Sequence, residues 1–146
     1  MLAIVLPDST WTLVDAHQRR CQFLGETLPR LGLDTRVQIC CQRAEDLGHE
    51  PRWRSAADLV VARGFARPAV TAECAAPLLH PGGCLVVAEP PGGSPGRWPA
   101  AGLDLLGLEA TMERREPVSL QRLDLVRTCP DRYPRRVGVP AKRPLW

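Results

Sequence analysis

Three polar side chains in this sequence each follow a short apolar run, in positions where chemistry is possible. Asp15 ends the run TWTLV (10–14), Glu45 comes soon after RVQICC (36–41), and Arg63 closes LVVA (59–62). If these runs are parallel strands, the three groups gather along the carboxyl edge of a sheet, where α/β proteins bind their ligands. An acid at that edge, opening onto a helix, is placed to accept hydrogen bonds from ribose hydroxyls. Beyond the next strand, a carboxylate or a nearby backbone amide can read an adenine edge. An arginine ending a buried strand needs an anion, either a ligand carboxylate or a protein acid. The competing readings are a helix cap for Asp15, a solvated turn for Glu45 and an internal ion pair for Arg63.

Other patterns fail on their chemistry. Gly92-Gly93-Ser94-Pro95-Gly96 has the G-x-S-x-G spacing of a nucleophile elbow. That device needs the backbone N–H of the residue after the serine as an oxyanion donor, and proline has none. Arg63-Gly64-Phe65-Ala66 opens like an RNA-binding RNP1 motif, yet Arg67 stands where a base-stacking aromatic is required and Pro68 ends any strand. The cysteines Cys21, Cys40, Cys41, Cys74, Cys84 and Cys129 form no C-x-x-C pair, and His17, His49 and His80 are scattered, so no zinc set arises. Buried free thiols in a reducing cytoplasm are expected.

The elements that must position these residues alternate in type. Residues 10–14 read as a strand, and Asp15 is placed to cap the following helix, whose apolar stripe is Cys21, Leu24, Leu28 and Leu31. Pro29 should end or kink that helix near Leu28, and Gly32 closes it. Residues 36–41 form a second strand, followed by a polar turn over 42–46. Residues 59–62 form a third, apolar throughout as a buried parallel strand is. A helix is expected over 68–79, stopped by Pro81-Gly82-Gly83, then a strand over 84–88 and a Gly/Pro-rich loop over 90–99. A helix near 100–106 precedes strands near 111–118 and 120–126, too close for a crossover and therefore an antiparallel hairpin. The run 2–6 is short enough to be helix or strand; helix is favoured. Strands alternating with helices and closed by a hairpin give an α/β sheet with helices on both faces.

The charge is unevenly spread. Residues 1–112 carry 10 basic and 12 acidic side chains, whereas 113–146 carry 9 basic and 4 acidic. Within 127–146, six basic residues meet one acid and four prolines, so the segment reads as an extended basic arm, neither helix nor central strand. Such an arm suits phosphate, and Arg132, Arg135, Arg136, Lys142 and Arg143 are its candidate RNA contacts. The division expected is a domain over 1–126 and an arm over 127–146. No targeting segment or membrane span is visible, so a cytoplasmic protein without membrane or metal partners, acting as a monomer, is expected.

Taken in order, the motifs resemble one family. Thr12-Leu13-Val14-Asp15-Ala16-His17-Gln18-Arg19-Arg20, Gln42-Arg43-Ala44-Glu45-Asp46, Val61-Ala62-Arg63-Gly64-Phe65-Ala66, Leu78-Leu79-His80-Pro81-Gly82-Gly83 and the ending 133–145 (YPRRVGVPAKRPL) are similar to successive segments of the RsmG (GidB) methyltransferases. The resemblance runs over nearly the whole chain and is weakest over 89–112. It implies a Rossmann-like class I methyltransferase sheet, mostly parallel with a C-terminal antiparallel hairpin. It also implies S-adenosyl-L-methionine as cofactor, a guanine N7 of 16S rRNA as target and the small ribosomal subunit as partner. By position, Asp15, Ala16 and His17 would border the cofactor ribose, Ala44 and Glu45 would flank the adenine, and Arg63 would complete the site. No residue is assigned a catalytic role, because guanine N7 already presents a lone pair and catalysis can rest on proximity and orientation.

The family's G-x-G-x-G-L-P-G loop and the strand before it have no counterpart here, and Leu2 to Leu6 aligns with the end of the helix that follows that loop. The expectation is an N-terminally truncated chain with weak or absent cofactor binding. A second reading is a non-catalytic rRNA-binding remnant, recognised by steeply salt-dependent binding to 16S rRNA without cofactor affinity.

Overall fold

The computed structural model describes residues 1–91, 96–114 and 118–146. The G-x-S-x-G loop therefore lies, apart from Gly96, outside the described residues. The chain divides into two compact units, Met1–Ala44 and Glu45–Trp146.

The first unit holds α1 (Leu2–Val5), β1 (Trp11–Val14), α2 (Gln18–Arg30) and β2 (Val37–Cys40). The two strands pair in parallel from Trp11 opposite Val37 to Val14 opposite Cys40, with α2 as the crossover that a parallel pair needs. Residues 2–5 are helical, as favoured. Pro29 does not end α2 at Leu28: the helix runs to Arg30, because a proline this close to the end forfeits only one hydrogen bond. Gly32 then adopts φ +64°, its N–H donates to Pro29 O, and the Leu33 N–H donates to Leu28 O. This is a Schellman motif, completed by the apolar contact of Leu33 with Leu28 in a small core that also takes Val37. Leu31, the last member of the expected stripe, lies beyond the helix at its C-cap and is exposed.

The second unit holds α3 (Ala44–Leu47, whose first residue belongs to the first unit), β3 (Ala57–Arg63), α4 (Pro68–Ala75), β4 (Leu79–Ala88), α5 (Ala100–Asp104), β5 (Leu108–Arg114), β6 (Leu120–Leu125) and α6 (Val139–Lys142). Its sheet has the order β3-β4-β6-β5, with β3 and β4 parallel and β6 antiparallel to both β4 and β5. The hairpin is thus as expected. The helix predicted over 68–79 is shorter: a 3-10 turn over Ala76–Leu78 leads straight into β4. Pro81-Gly82-Gly83 falls inside that strand, where a register shift between Ala57 and Leu59 absorbs it. Glycine is required at 83, since an added Cβ would lie 2.9 Å from the Ala57 carbonyl oxygen.

The core packs Ala72 and Ala75 of α4 against Leu85 and Val87 of β4, Leu123 and Leu125 of β6, and Leu103 and Leu106 from the α5 segment. Burial holds the thiols of Cys74 and Cys129 well above their usual range, at about 12, which keeps them protonated and inert. Two expectations are corrected. Strand β3 is only partly buried, with Val61 exposed; it is an edge of its sheet and, among the described residues, pairs with β4 alone. The segment 127–146, expected to hold no helix, contains the helical turn α6; it is grouped with the second unit and buries Tyr133, Pro134 and Pro140. Pro140 sits in the first turn of α6, where its missing N–H costs nothing.

Candidate cofactor and substrate site

Asp15 emerges from the carboxyl end of β1, with its N–H donating to Cys40 O at 3.2 Å. Its carboxylate accepts from the His17 backbone N–H at Oδ1 (2.8 Å) and from Arg20 Nη1 at Oδ2 (3.0 Å). The cap residue of α2 is His17 rather than Asp15, so the carboxylate braces the turn leading into the helix. The His17 amide, outweighing a small burial penalty, and the Arg20 guanidinium hold the Asp15 carboxyl below the usual carboxylate range. An ionised carboxylate has room for further donors on each oxygen, so this one can still take hydroxyls. Ala16 and His17 are exposed beside it, and Ala44 follows the end of β2 at the same edge of the strand pair. The first unit therefore brings together four of the residues singled out in the sequence.

The second unit carries the other two. Glu45 is buried, and its Oε1 accepts from the Gly138 N–H at 3.2 Å. Its carboxylate holds the C-terminal segment, so only backbone at the start of α3 remains for an adenine edge. Arg63, expected to close a buried strand and to meet an anion of the ligand or of the protein, is exposed at the end of β3, an edge strand of its sheet. No partner for it occurs among the described residues.

The basic residues of 127–146 divide into two kinds. Arg132, Arg136, Lys142 and Arg143 are exposed, with Arg132 stacked on the Tyr133 ring at 5.1 Å. Arg135 instead grips Glu73, which is completely buried: its Nε and Nη2 meet the two carboxylate oxygens at 2.8 and 2.7 Å, and its backbone N–H adds a third bond at 2.9 Å. Arg54 fastens the same segment by donating to the carbonyls of Cys129 and Tyr133.

One feature escaped the sequence reading. At the carboxyl ends of β3 and β4 lies an open cleft of about 100 Å³, lined in part by Gly64, Phe65, Thr71, Glu89, Arg97 and Trp98. Arg97 Nε donates to Glu89 Oε2 at 2.5 Å, and Trp98 Nε1 donates to Glu89 Oε1 at 3.1 Å. The Trp146 indole in turn donates to Arg97 O at 3.1 Å, tying this wall to the end of the chain. The only sequence signal was a lone acid ahead of Pro90-Pro91, which reads as a loop. Among the described residues no group of three or more metal-binding side chains occurs, and no helix is long and apolar enough to cross a membrane.

Comparison with known proteins bears on the same residues. The model of the GidB family, rRNA small subunit methyltransferase G, matches residues 1–89. The ribosomal RNA small subunit methyltransferase G of Prochlorococcus marinus strain NATL1A is 32% identical over 158 residues, and that of Synechococcus sp. strain RCC307 is 35% identical over 158. That of Lactobacillus delbrueckii subsp. bulgaricus strain ATCC BAA-365 is 34% identical over 152. Each match takes in 99% of this chain, which spans 61–64% of the length of these relatives. Among solved structures, an O-methyltransferase family protein from Burkholderia thailandensis superposes with a TM-score of 0.63 at 17% identity, over 84% of this chain and 46% of its own. The antibiotic-resistance methyltransferase Kmr gives 0.65 at 15%, over 84% and 78%. At that identity they establish the fold alone, the class I methyltransferase fold.

Proposed function

Because this chain belongs to the rRNA small subunit methyltransferase G (GidB) family, we propose that it serves S-adenosyl-L-methionine-dependent methylation of a guanine N7 in 16S rRNA. The observation that carries this reading is Asp15: an ionised, acceptor-only carboxylate, braced by His17 and Arg20 at the carboxyl end of a parallel strand. That is the donor-poor, acceptor-rich arrangement a ribose diol needs.

In this reading Asp15 takes the ribose hydroxyls, with Ala16 and His17 bordering the sugar. Ala44 and Glu45 flank the adenine through the backbone at the start of α3, because the Glu45 carboxylate is committed to Gly138. Arg63, exposed at the end of β3, supplies positive charge toward the methionyl or substrate side. S-adenosyl-L-methionine, when bound, supplies a sulfonium methyl that guanine N7 takes with its own lone pair while the bonding pair returns to sulfur. No side chain has to remove a proton, so the protein's work is to hold, align and exclude water. Arg132, Arg136, Lys142 and Arg143 hold rRNA phosphates, fixing register without reading sequence. Arg135 supports them indirectly, by anchoring the segment through Glu73. The protein acts as a cytoplasmic monomer on the small ribosomal subunit.

The test is a pair of titrations on the purified chain. Saturation-transfer NMR with S-adenosyl-L-methionine, which detects weak binding, is expected to show transfer to ribose and adenine protons that Asp15→Asn removes. Absence of transfer, combined with steeply salt-dependent binding to 16S rRNA, would replace the enzymatic reading by a purely RNA-binding one.

A further inference from the structure

The cleft at the ends of β3 and β4 is not needed to hold a cofactor ribose or adenine in the reading above, yet it is built with care. Its floor carries Glu89, whose side chain is only 9% exposed. Arg97 neutralises that charge and Trp98 donates to the other oxygen, so among the described residues one bond reaches each carboxylate oxygen. An ionised carboxylate offers about four acceptor directions and no donor, which leaves one on each oxygen for a ligand. Phe65, an exposed aromatic in the cleft lining, supplies ring surface.

A pair of adjacent acceptors with no donor discriminates sharply among the bases. On its Watson–Crick edge guanine presents two neighbouring donors, N1–H and the N2 amino group. Adenine and cytosine each place a ring acceptor beside their amino group, and uracil flanks its one N–H with carbonyls. Only guanine therefore matches both oxygens at once, and the others would bring lone pair against lone pair. The same geometry leaves guanine N7 free, since N7 lies on the opposite, Hoogsteen edge. Enzymes that modify a base within structured nucleic acid draw it into such a pocket, reading its Watson–Crick edge while aromatic side chains stack on it.

We propose that this cleft receives the target guanine, with Glu89 accepting from N1–H and the N2 amino group and Phe65 stacking on the ring. Arg97 and Trp98 are positioning residues: they fix the carboxylate's rotamer, and Trp146 fixes them through the Arg97 carbonyl. The proposal rests on the guanine-methylating reading for its ligand, but its test needs neither cofactor nor rRNA.

The indole N–H of Trp98 is a direct reporter, because it bonds to Glu89. Two-dimensional ¹H–¹⁵N spectra of the full chain, with that signal assigned through Trp98→Phe, would be followed during titration with guanosine monophosphate and, separately, adenosine monophosphate. The expected result is a shift of the Trp98 indole signal with a preference for the guanine nucleotide of roughly tenfold or more, the scale of one bidentate base contact. Glu89→Gln, which keeps the shape and an acceptor for Trp98, should bring the two affinities together. Phe65→Ala, at an exposed position, should weaken both nucleotides and leave their ratio unchanged. Equal shifts from both nucleotides, no shift from either, or a preference that survives Glu89→Gln would overturn the proposal. Failure of the enzymatic reading would appear instead in the cofactor titration, which does not involve Glu89.

Discussion

Arg135 and Glu73 form the principal electrostatic joint of the second unit: a fully buried carboxylate in the middle of α4 is met by three N–H donors of one residue, 62 positions later in the chain. An acid buried on that scale is tolerable only when paired and hydrogen-bonded. The contact explains how α4 can be buried on nearly every side, with the sheet behind it and the C-terminal segment over it. The Glu73 carboxylate raises the Arg135 pKa further, so the guanidinium stays charged at any working pH.

Removing either partner strands a charge. Glu73→Ala and Arg135→Ala should each destabilise the protein by on the order of 3 kcal/mol, read as a lower urea midpoint. Arg135→Lys keeps the charge but not the fork, and should recover only part of the loss.

The exposed basic residues should behave differently. Arg136→Ala, Lys142→Ala and Arg143→Ala should leave the urea midpoint within about 0.5 kcal/mol of the parent. Each should lower the slope of log affinity for 16S rRNA against log salt by roughly 0.7–0.9, the value of one phosphate contact. A variant that changes stability but not the salt slope would remove that residue from the interface.

These two classes show where sequence reading stops. Alternation of apolar runs and turn residues reveals the order of strands and helices, the closing hairpin and the place of Asp15, because each depends on neighbours within a few residues. The roles of Glu73, Glu89 and Arg135 depend on partners that only the tertiary fold brings near. Arg63 and Val61 are exposed on β3, an edge strand of its sheet, and an apolar run cannot announce its own edge. The helical turn at 139–142 was hidden by Pro140, which forbids a helix interior but suits a first turn. Family resemblance, by contrast, carried the site residues as positions and said nothing of which side chains the fold would consume.

Asp15 gives a pH prediction whose sign is fixed by its hydrogen bonds. Its folded pKa lies below the ordinary 3.8, so its contribution to stability is present above the unfolded value and is lost as pH falls through the folded one. Carboxyl-carbon NMR should place its midpoint below 3.8, and Arg20→Ala should move that midpoint upward. Cofactor binding should accordingly show no loss from Asp15 protonation anywhere between pH 5 and 8.

Gly102 offers a test of the link between the end of the chain and the cleft. A Cβ there would fall 2.8 Å from Cδ2 of the Trp146 indole, which holds the Arg97 carbonyl. Gly102→Ala should cost about 1–3 kcal/mol by overpacking and should shift the Trp98 indole NMR signal. An unchanged Trp98 signal would disconnect Trp146 from the cleft wall.

The most direct measurement of the central claim is the fate of a labelled methyl group. The chain would be incubated with methyl-labelled S-adenosyl-L-methionine and small ribosomal subunits that lack 7-methylguanosine, and the 16S rRNA digested to nucleosides for mass spectrometry. The account predicts label in 7-methylguanosine alone, lost with Asp15→Asn. Label in any other nucleoside, or label that survives Asp15→Asn, would contradict it.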